Sequence, residues 1–380
     1  MRHTIIETLF AGLRTALTER STGPLFTDGR PVYIYGAGNV GKDVYRLLTS
    51  RGIMVAGFLD FKTKPGSIWM GVPVSEPNDP RLSASQREGA HVVIGIFNCF
   101  VEMPRLMTQL KELGYEHVTS FLDFHDEFAA ELGDRFWLTA RSYYCGKEQT
   151  IAAGYELWSD DTSRNLYASM LRFRFTKDYE TVPPPTNEQY LAKDMPSWPI
   201  PIRLIDCGAF EGDTLKLLAD SGLSLEAIAA FEPDPGNFSK LVQYVRDHMS
   251  NLPKEIFLFP CGAGAATTQV RFSSGQGIGS RVSATGDTVI QCASLDEALP
   301  VFRPNLIKMD IEGAEYDALW GARRLIAECR PALAICLYHS PQHLWQLPLL
   351  VRQFTEGGGK YYLRSHSLNG FELVFYWLPE

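Results

Sequence analysis

The chain lacks what would tie it to nucleic acid, to a bilayer or to an oxidising compartment. Basic residues are in deficit: Lys and Arg total 36 against 44 Asp and Glu, a formal net charge of −8. That balance excludes a phosphate backbone as the main partner. The 7 cysteines form no C-x-x-C pair and are odd in number. Neither a disulfide framework nor a structural zinc site is indicated, and a reducing cytoplasm fits. No window holds enough consecutive apolar residues to span a membrane. Residues 1–20 have neither the unbroken apolar stretch nor the small-residue cleavage site of a signal peptide. Instead Ile5, Ile6, Leu9, Leu13 and Leu17 recur at helical spacing between charged residues, which predicts an amphipathic helix.

What is present is length and alternation. At 380 residues, 45% hydrophobic and 21% charged, the chain is of globular composition and long enough for two or three domains. From Pro31, VYIYGAGNVGKDVYRLL reads as strand, glycine turn (Gly36, Gly38, Gly41) and helix. VAGFLD follows, its Asp60 about 20 residues beyond the glycines, where a ribose-binding acid belongs. The G-x-G-x-x-G thus has the strand–turn–helix context that brings backbone close to a pyrophosphate at a helix N-terminus. The same glycines also permit tight strand-to-helix packing, so a bound nucleotide and a structural role both stand. HVVIGIF and HVTSFL read as later strands.

Residues 126–200 carry no strand-rich pattern. Helix-start signals at Ser159, Asp160 and Asp161 precede Leu166, Met170 and Phe173, and six prolines crowd the stretch from Val182 to Pro201. That density predicts an extended segment over the surface. Arg164, Arg172 and Arg174 read more readily as solvated helix positions than as a grip on an acidic substrate.

The rest of the chain is organised around residues 202–214, IRLIDCGAFEGDT, and 227–235, AIAAFEPDP. Each is a short apolar run delivering an acid near its end, Asp206 and Glu232, as two buried parallel strands of an open sheet would. The loop after Asp206 has only Gly208 and Gly212, with Glu211 and Asp213 where a pyrophosphate would be repelled. A cationic nucleoside with an ammonium and two ribose hydroxyls suits such a loop. Glu232 is placed to accept from both hydroxyls, charged hydrogen bonds of about 1.5–3 kcal/mol each. EIFLFPCGAG, NLIKMDIEGAE and PALAICLYH add further strands, ending in Asp310 and His339 at the last two. KYYLRSHSLNGFELVFYWLP predicts two strands around an Asn369–Gly370 turn.

Taken in order, DCGAFEGDT, FEPDP, ASLDEAL, IKMDIEGAE and the terminal YH resemble the FkbM family of S-adenosylmethionine-dependent methyltransferases from about Arg203 onward. The resemblance implies O-methylation of a small-molecule acceptor, commonly a hydroxyl of a sugar or natural product. It would put Asp206, Gly208, Ala209 and Gly212 at the methionine end and Glu232 with Pro233 at the ribose. Cys261, Gly262 and Ala263 would lie by the adenine, and Asp310 beside the sulfonium. The family's commonest form has Asn where Phe210 stands. His339, with an ordinary pKa near working pH, is the candidate base beside Asp310. Asp310, Glu312 and Glu315 could hold a divalent ion with His339, but no metal is expected.

The stretch around Gly36, Gly38 and Gly41, with GFLD at 57–60 and GVPV at 71–74, resembles the N-terminal nucleotide-binding domain of bacterial sugar acyltransferases. That resemblance implies a nucleotide-sugar pocket. An NAD(P)-dependent oxidoreductase or epimerase using this loop is the alternative activity. The expected fold class is therefore α/β with two Rossmann-like open sheets. The second is a mostly parallel seven-stranded methyltransferase sheet with a C-terminal antiparallel hairpin. The expected division is 1–125, a connector 126–200, and 201–380.

Overall fold

The computed structural model describes residues 2–19, 26, 28–62, 64, 66–186, 188–273, 281–282 and 288–380. The chain divides into two compact units. One comprises Met1–Glu148, Ala168–Pro185 and Ser367–Phe371; the other comprises Gln149–Tyr167, Thr186–His366 and Glu372–Glu380. The stretch expected as a connector is parcelled out between them.

The first unit contains a six-stranded sheet: β1 (Val32–Tyr35), β2 (Val55–Leu59), β3 (Ile68–Trp69), β4 (Val72–Ser75), β5 (His91–Ile94) and β6 (His117–Thr119). The order is β3-β4-β2-β1-β5-β6, parallel except for the short β3–β4 pair. Tyr35, Leu59, Val92 and Ile94 pack with Leu106, Leu110 and Tyr115 into its core. The helix Arg2–Glu19 buries Ile6, Leu9 and Leu13 while Ile5 and Leu17 stay exposed, so the expected apolar stripe is narrower than its spacing suggested. Arg174 is buried with its guanidinium 5.7 Å from the Trp137 ring, so it does not lie in solvent.

The expected nucleotide loop is a packing device at two of its three glycines. A Cβ on Gly41 would lie 2.0 Å from the Gly36 carbonyl oxygen, and one on Gly36 would lie 2.9 Å from Ile96 Cγ1. Only at Gly38 is the space open. Asp60 accepts from the Ala37 amide at 3.2 Å and the Lys62 amide at 2.8 Å, stapling the loop.

The second unit holds the seven-stranded sheet. Its strands are β7 (Ile202–Cys207), β8 (Leu225–Phe231), β9 (Glu255–Phe259), β14 (Leu306–Met309), β15 (Ala332–Cys336), β16 (Lys360–Ser365) and β17 (Leu373–Leu378). Between them come β10 (Gly262–Ala263), β11 (Thr268–Ser273), β12 (Arg281–Val282) and β13 (Thr288–Ala293), a small separate sheet where a hairpin insertion was expected. Part of that insertion lies outside the described residues. The large sheet runs β16-β17-β15-β14-β7-β8-β9, with β17 antiparallel to both of its neighbours and the rest parallel. β14, β15 and β17 are buried at every residue; β15 and β17 read as unbroken apolar runs, and β14 is broken only by Lys308. Asn369 and Gly370 have φ of 58° and 76°, and the Phe371 amide donates to the Leu368 carbonyl at 3.1 Å. That is the type I′ turn the Asn-Gly pair predicts. Among the described residues no helix is long and apolar enough to cross a membrane.

Candidate active site

In the second unit the chain leaves β7 toward β8 on one side, while β14 lies on the other. The crevice beyond the C-terminal ends of β7 and β14 is therefore the switch point of the sheet, where open α/β folds hold ligands. Gly208 follows β7 with φ 80°, and a Cβ there would come within 1.9 Å of the Asp310 carbonyl oxygen. Only glycine lets the two strand ends approach so closely. The Gly208 and Ala209 amides both donate to the Phe231 carbonyl at 3.0 Å. Gly212, φ 94°, caps the helix Asp213–Asp220, where a Cβ would press on Tyr244 at 2.9 Å.

Glu232 leaves the end of β8, mostly buried. Its Oε2 accepts from the Phe210 amide at 2.9 Å and its Oε1 from the Asp234 amide at 2.8 Å. Burial pushes its carboxyl up to about 7 against the pull of those two amides. Pro233 and Gly262 are neighbours, with the Pro233 Cβ 4.0 Å from a Cβ built on Gly262. Cys261, Gly262 and Ala263, all buried, thus stand beside the Glu232–Pro233 corner.

Asp206 does not stand there. Its carboxylate is fully buried and faces the Lys308 ammonium at 3.1 Å. The two residues are directly paired across β7 and β14, so their side chains share one face of the sheet. Lys308 Nζ also donates to the Gly208 carbonyl at 2.7 Å. Burial pushes the Asp206 carboxyl up while Lys308 opposes it; burial of Lys308 is outweighed by Asp206 and Asp310, and the lysine stays charged. Asp206 therefore acts on the loop through Lys308. Lys308 was overlooked in the sequence, although a lone cation inside LIKM is a visible signal. Glu211 is likewise drawn aside, to Lys240 at 2.5 Å.

His339 follows β15 and is buried. Its Nδ1 lies 2.8 Å from Glu315 Oε1, and its Nε2 lies 3.4 Å from Asp310 and 3.8 Å from Glu312. Burial works against the charged ring, yet Glu315, Glu312 and Asp310 raise its pKa to about 10. An imidazole so held is protonated at neutral pH and has no free lone pair with which to act as a base. That is not the neutral base expected of His339. Glu315 is fully buried and accepts from the Ile311 amide at 2.9 Å, with His343 Nδ1 at 3.3 Å. Against the cost of burial, His339 holds its carboxyl well below the usual range. It is the clamp of the cluster. Glu312, φ 55°, is pushed up to about 8, chiefly by burial.

Asp310 is partly exposed at the mouth of the crevice. The Tyr338 hydroxyl lies 3.4 Å from Asp310 Oδ1 and donates to Glu372 Oε1 at 3.0 Å. Asp310, Cys336 and Glu372 each bring one atom within 4.8 Å of the others. Burial keeps the Cys336 thiol far above its ordinary pKa, so the trio offers two carboxylates and a protonated thiol, a poor match for a hard divalent ion. The carboxylates of Asp310, Glu312 and Glu372 do suit a cation. Asp213 in the first helical turn would repel a phosphate there, so this donor set fits a sulfonium nucleoside.

Residues 206–362 match the family model of the Methyltransferase FkbM domain. No curated protein matches the chain. Among solved structures the fold is similar to the crystal structure of Methyltransferase FkbM from Methylobacillus flagellatus KT. Identity is 20%, 99% of this chain and 100% of that one are covered, and the TM-score is 0.81. An rRNA methylase from Streptococcus thermophilus (15% identity, 47% and 86% covered) scores only 0.28. Fibrillarin from Aeropyrum pernix, with natively bound S-adenosyl-L-methionine (12% identity, 47% and 66% covered), scores only 0.27. Scores that low do not inform the site. The first likeness fixes the fold of both units. Residues 206–362 thus form a Methyltransferase FkbM domain at the acid-lined switch point, and that family supports S-adenosylmethionine-dependent methyl transfer.

Proposed function

We propose that the chain methylates a hydroxyl of a small acceptor, a sugar or natural product, at the crevice between the ends of β7 and β14. The observation that carries this reading is the partly exposed Asp310 at the switch point, flanked by Glu312 and Glu372, with Glu232 at the neighbouring strand end. Glu232 would accept from the ribose hydroxyls through lone pairs its two amide donors leave open. Cys261, Gly262 and Ala263 would border the adenine, and Asp310 the sulfonium. When bound, S-adenosylmethionine supplies a methyl group whose bond to sulfur breaks as the bond to the acceptor oxygen forms. Alignment of that oxygen by the crevice walls supplies much of the rate. The acceptor proton goes to the Asp310–Glu312 pair, while His339, kept cationic by Glu315, balances their charge. A reducing cytoplasm suits the chain, whose seven cysteines are joined by no disulfide.

The test is a pH profile of methyl transfer from S-adenosylmethionine to a panel of hydroxylated acceptors. Glu312, pushed up to about 8, accepts a proton only in its ionised form. The rate should climb as pH rises through about 8 and then level, and Glu312→Gln should flatten that limb. Transfer to amines alone, or a limb that survives in Glu312→Gln, contradicts the assignment.

A further inference from the structure

Residues 188–198, which the sequence presents as part of a proline-rich surface segment, are tied to the C-terminal strands by named bonds. Asp194 meets the Arg364 guanidinium at 2.8 Å. Tyr190 is fixed at both of its backbone groups: its amide donates to the Tyr376 hydroxyl at 3.0 Å, and its carbonyl accepts from Trp198 Nε1 at 2.6 Å. Two residues near the start of this segment each reach one carboxylate of the site. Gln189 Nε2 donates to Glu372 Oε2 at 2.7 Å, and the Tyr190 hydroxyl lies 3.5 Å from Asp310 Oδ2. Tyr338 bridges the same two carboxylates, so the five side chains form a ring that closes through the Gln189–Tyr190 peptide bond.

Backbone strain gathers in this ring and at Glu312, two residues from Asp310. Tyr190, Glu312 and Glu372 have φ of 63°, 55° and 46°, a region bulky side chains rarely enter. Such residues persist where surrounding bonds over-determine them, and they gather at working sites. Tyr190 is also buried, its ring centroid 5.9 Å from Lys308 Nζ. A linker has no need of a strained aromatic driven in beside the two charged groups at the strand ends.

We propose that Gln189 and Tyr190 are positioning residues for methyl transfer, holding Glu372 and Asp310 toward the methyl donor, and that residues 188–198 form a wall of the site. This rests on the reading of the switch point as the donor site. Carboxylates held there stabilise the cationic sulfonium of S-adenosylmethionine and do nothing for the neutral thioether of S-adenosylhomocysteine. The ratio of the two affinities therefore reports their placement without any knowledge of the acceptor.

The experiment is calorimetric titration of the full chain with each compound, for the wild type, Tyr190→Phe, Gln189→Ala and Asp310→Asn, with thermal melts alongside. Tyr190→Phe keeps the ring and should lower the preference for S-adenosylmethionine by about threefold or more, leaving S-adenosylhomocysteine affinity within about twofold. Gln189→Ala should do the same. Tyr190→Phe should add nothing once Asp310→Asn is in place. An unchanged ratio overturns the proposal. So does an equal loss of both affinities with a lowered melting temperature, the mark of a merely structural wall. A wild type that binds neither compound overturns the donor-site reading itself, and the proposal with it.

Discussion

The chain builds the same strand–glycine–helix turn twice, and the two differ most in what lies beneath and beside them. In both, an acid at the end of the adjoining strand accepts a loop amide: Ala37 to Asp60 in the first unit, Phe210 to Glu232 in the second. In both, the first glycine faces backbone beyond the neighbouring strand, Gly36 that of Gly95 and Gly208 that of Asp310. Directly across the two strands, however, the first unit pairs Ile34 with Val93 and the second pairs Asp206 with Lys308. Beyond β5 the first unit places Gly95 and Ile96, and Ile96 packs on Gly36; beyond β14 the second places Asp310 and Glu312. The glycine turn is thus a packing solution common to both. The charge around it is what makes only one of them a candidate for a cationic ligand.

The largest expected effect comes from attacking that charge. Lys308→Met leaves Asp206 buried without its partner and should cost about 3–5 kcal/mol in chemical denaturation. Replacing both residues with the first unit's apolar pair, Asp206→Ile with Lys308→Val, should recover most of that loss. S-adenosylhomocysteine binding should not recover, because the Gly208 carbonyl has lost its donor. A double variant as unstable as the single one would show that the ion pair itself, and not the stranded charge, sets the stability.

A smaller effect separates the two acids. Glu232→Ala should weaken S-adenosylhomocysteine binding by about tenfold, roughly 1.4 kcal/mol, while Asp60→Ala leaves it unchanged. The pH dependence sharpens the contrast. Glu232 has its pKa raised by folding, so its contribution to stability is present below its ordinary value and is lost as pH rises through about 7. The Glu232-dependent part of the melting temperature should fall over that range and vanish in Glu232→Gln. Equal affinities for the two alanine variants would remove Glu232 from the ribose.

Much of this architecture was legible because buried parallel strands write themselves as apolar runs, and both glycine turns sit where strand meets helix. The edge acids Glu232 and Asp310 were legible for the same reason, being the first charges after such runs. What the sequence did not disclose depends on which way a side chain points and on distant partners. Asp206 ends the same kind of run as Glu232, but its carboxylate meets Lys308 across the sheet, 102 positions on in the sequence. His339 looked like a base because nothing local reveals that Glu315 lies beneath it. Gln189 and Tyr190 stand among prolines that predict an extended segment correctly and say nothing of what that segment touches.

The finest distinction between the two turns is conformational. Gly38 occupies φ −96°, which any residue adopts, whereas Phe210 occupies the left-handed region at 48°. For a residue with a Cβ that region costs about 1–2 kcal/mol, and asparagine is among the few that enter it readily. Phe210 stays there because its amide is needed by Glu232, whose position the strained turn fixes. Asparagine, the commonest residue of the FkbM family at this point, would satisfy the same amide geometry with less strain. Comparing Phe210→Asn with Phe210→Ala cancels the loss of the ring, so the asparagine variant should be the more stable by about 0.5–1 kcal/mol. Both should retain S-adenosylhomocysteine affinity within about twofold, since the contribution comes from backbone and not from the side chain. Equal stability of the two would mean that the turn relaxes once the ring is gone, and that the phenyl group, not Glu232, holds the loop in its left-handed form.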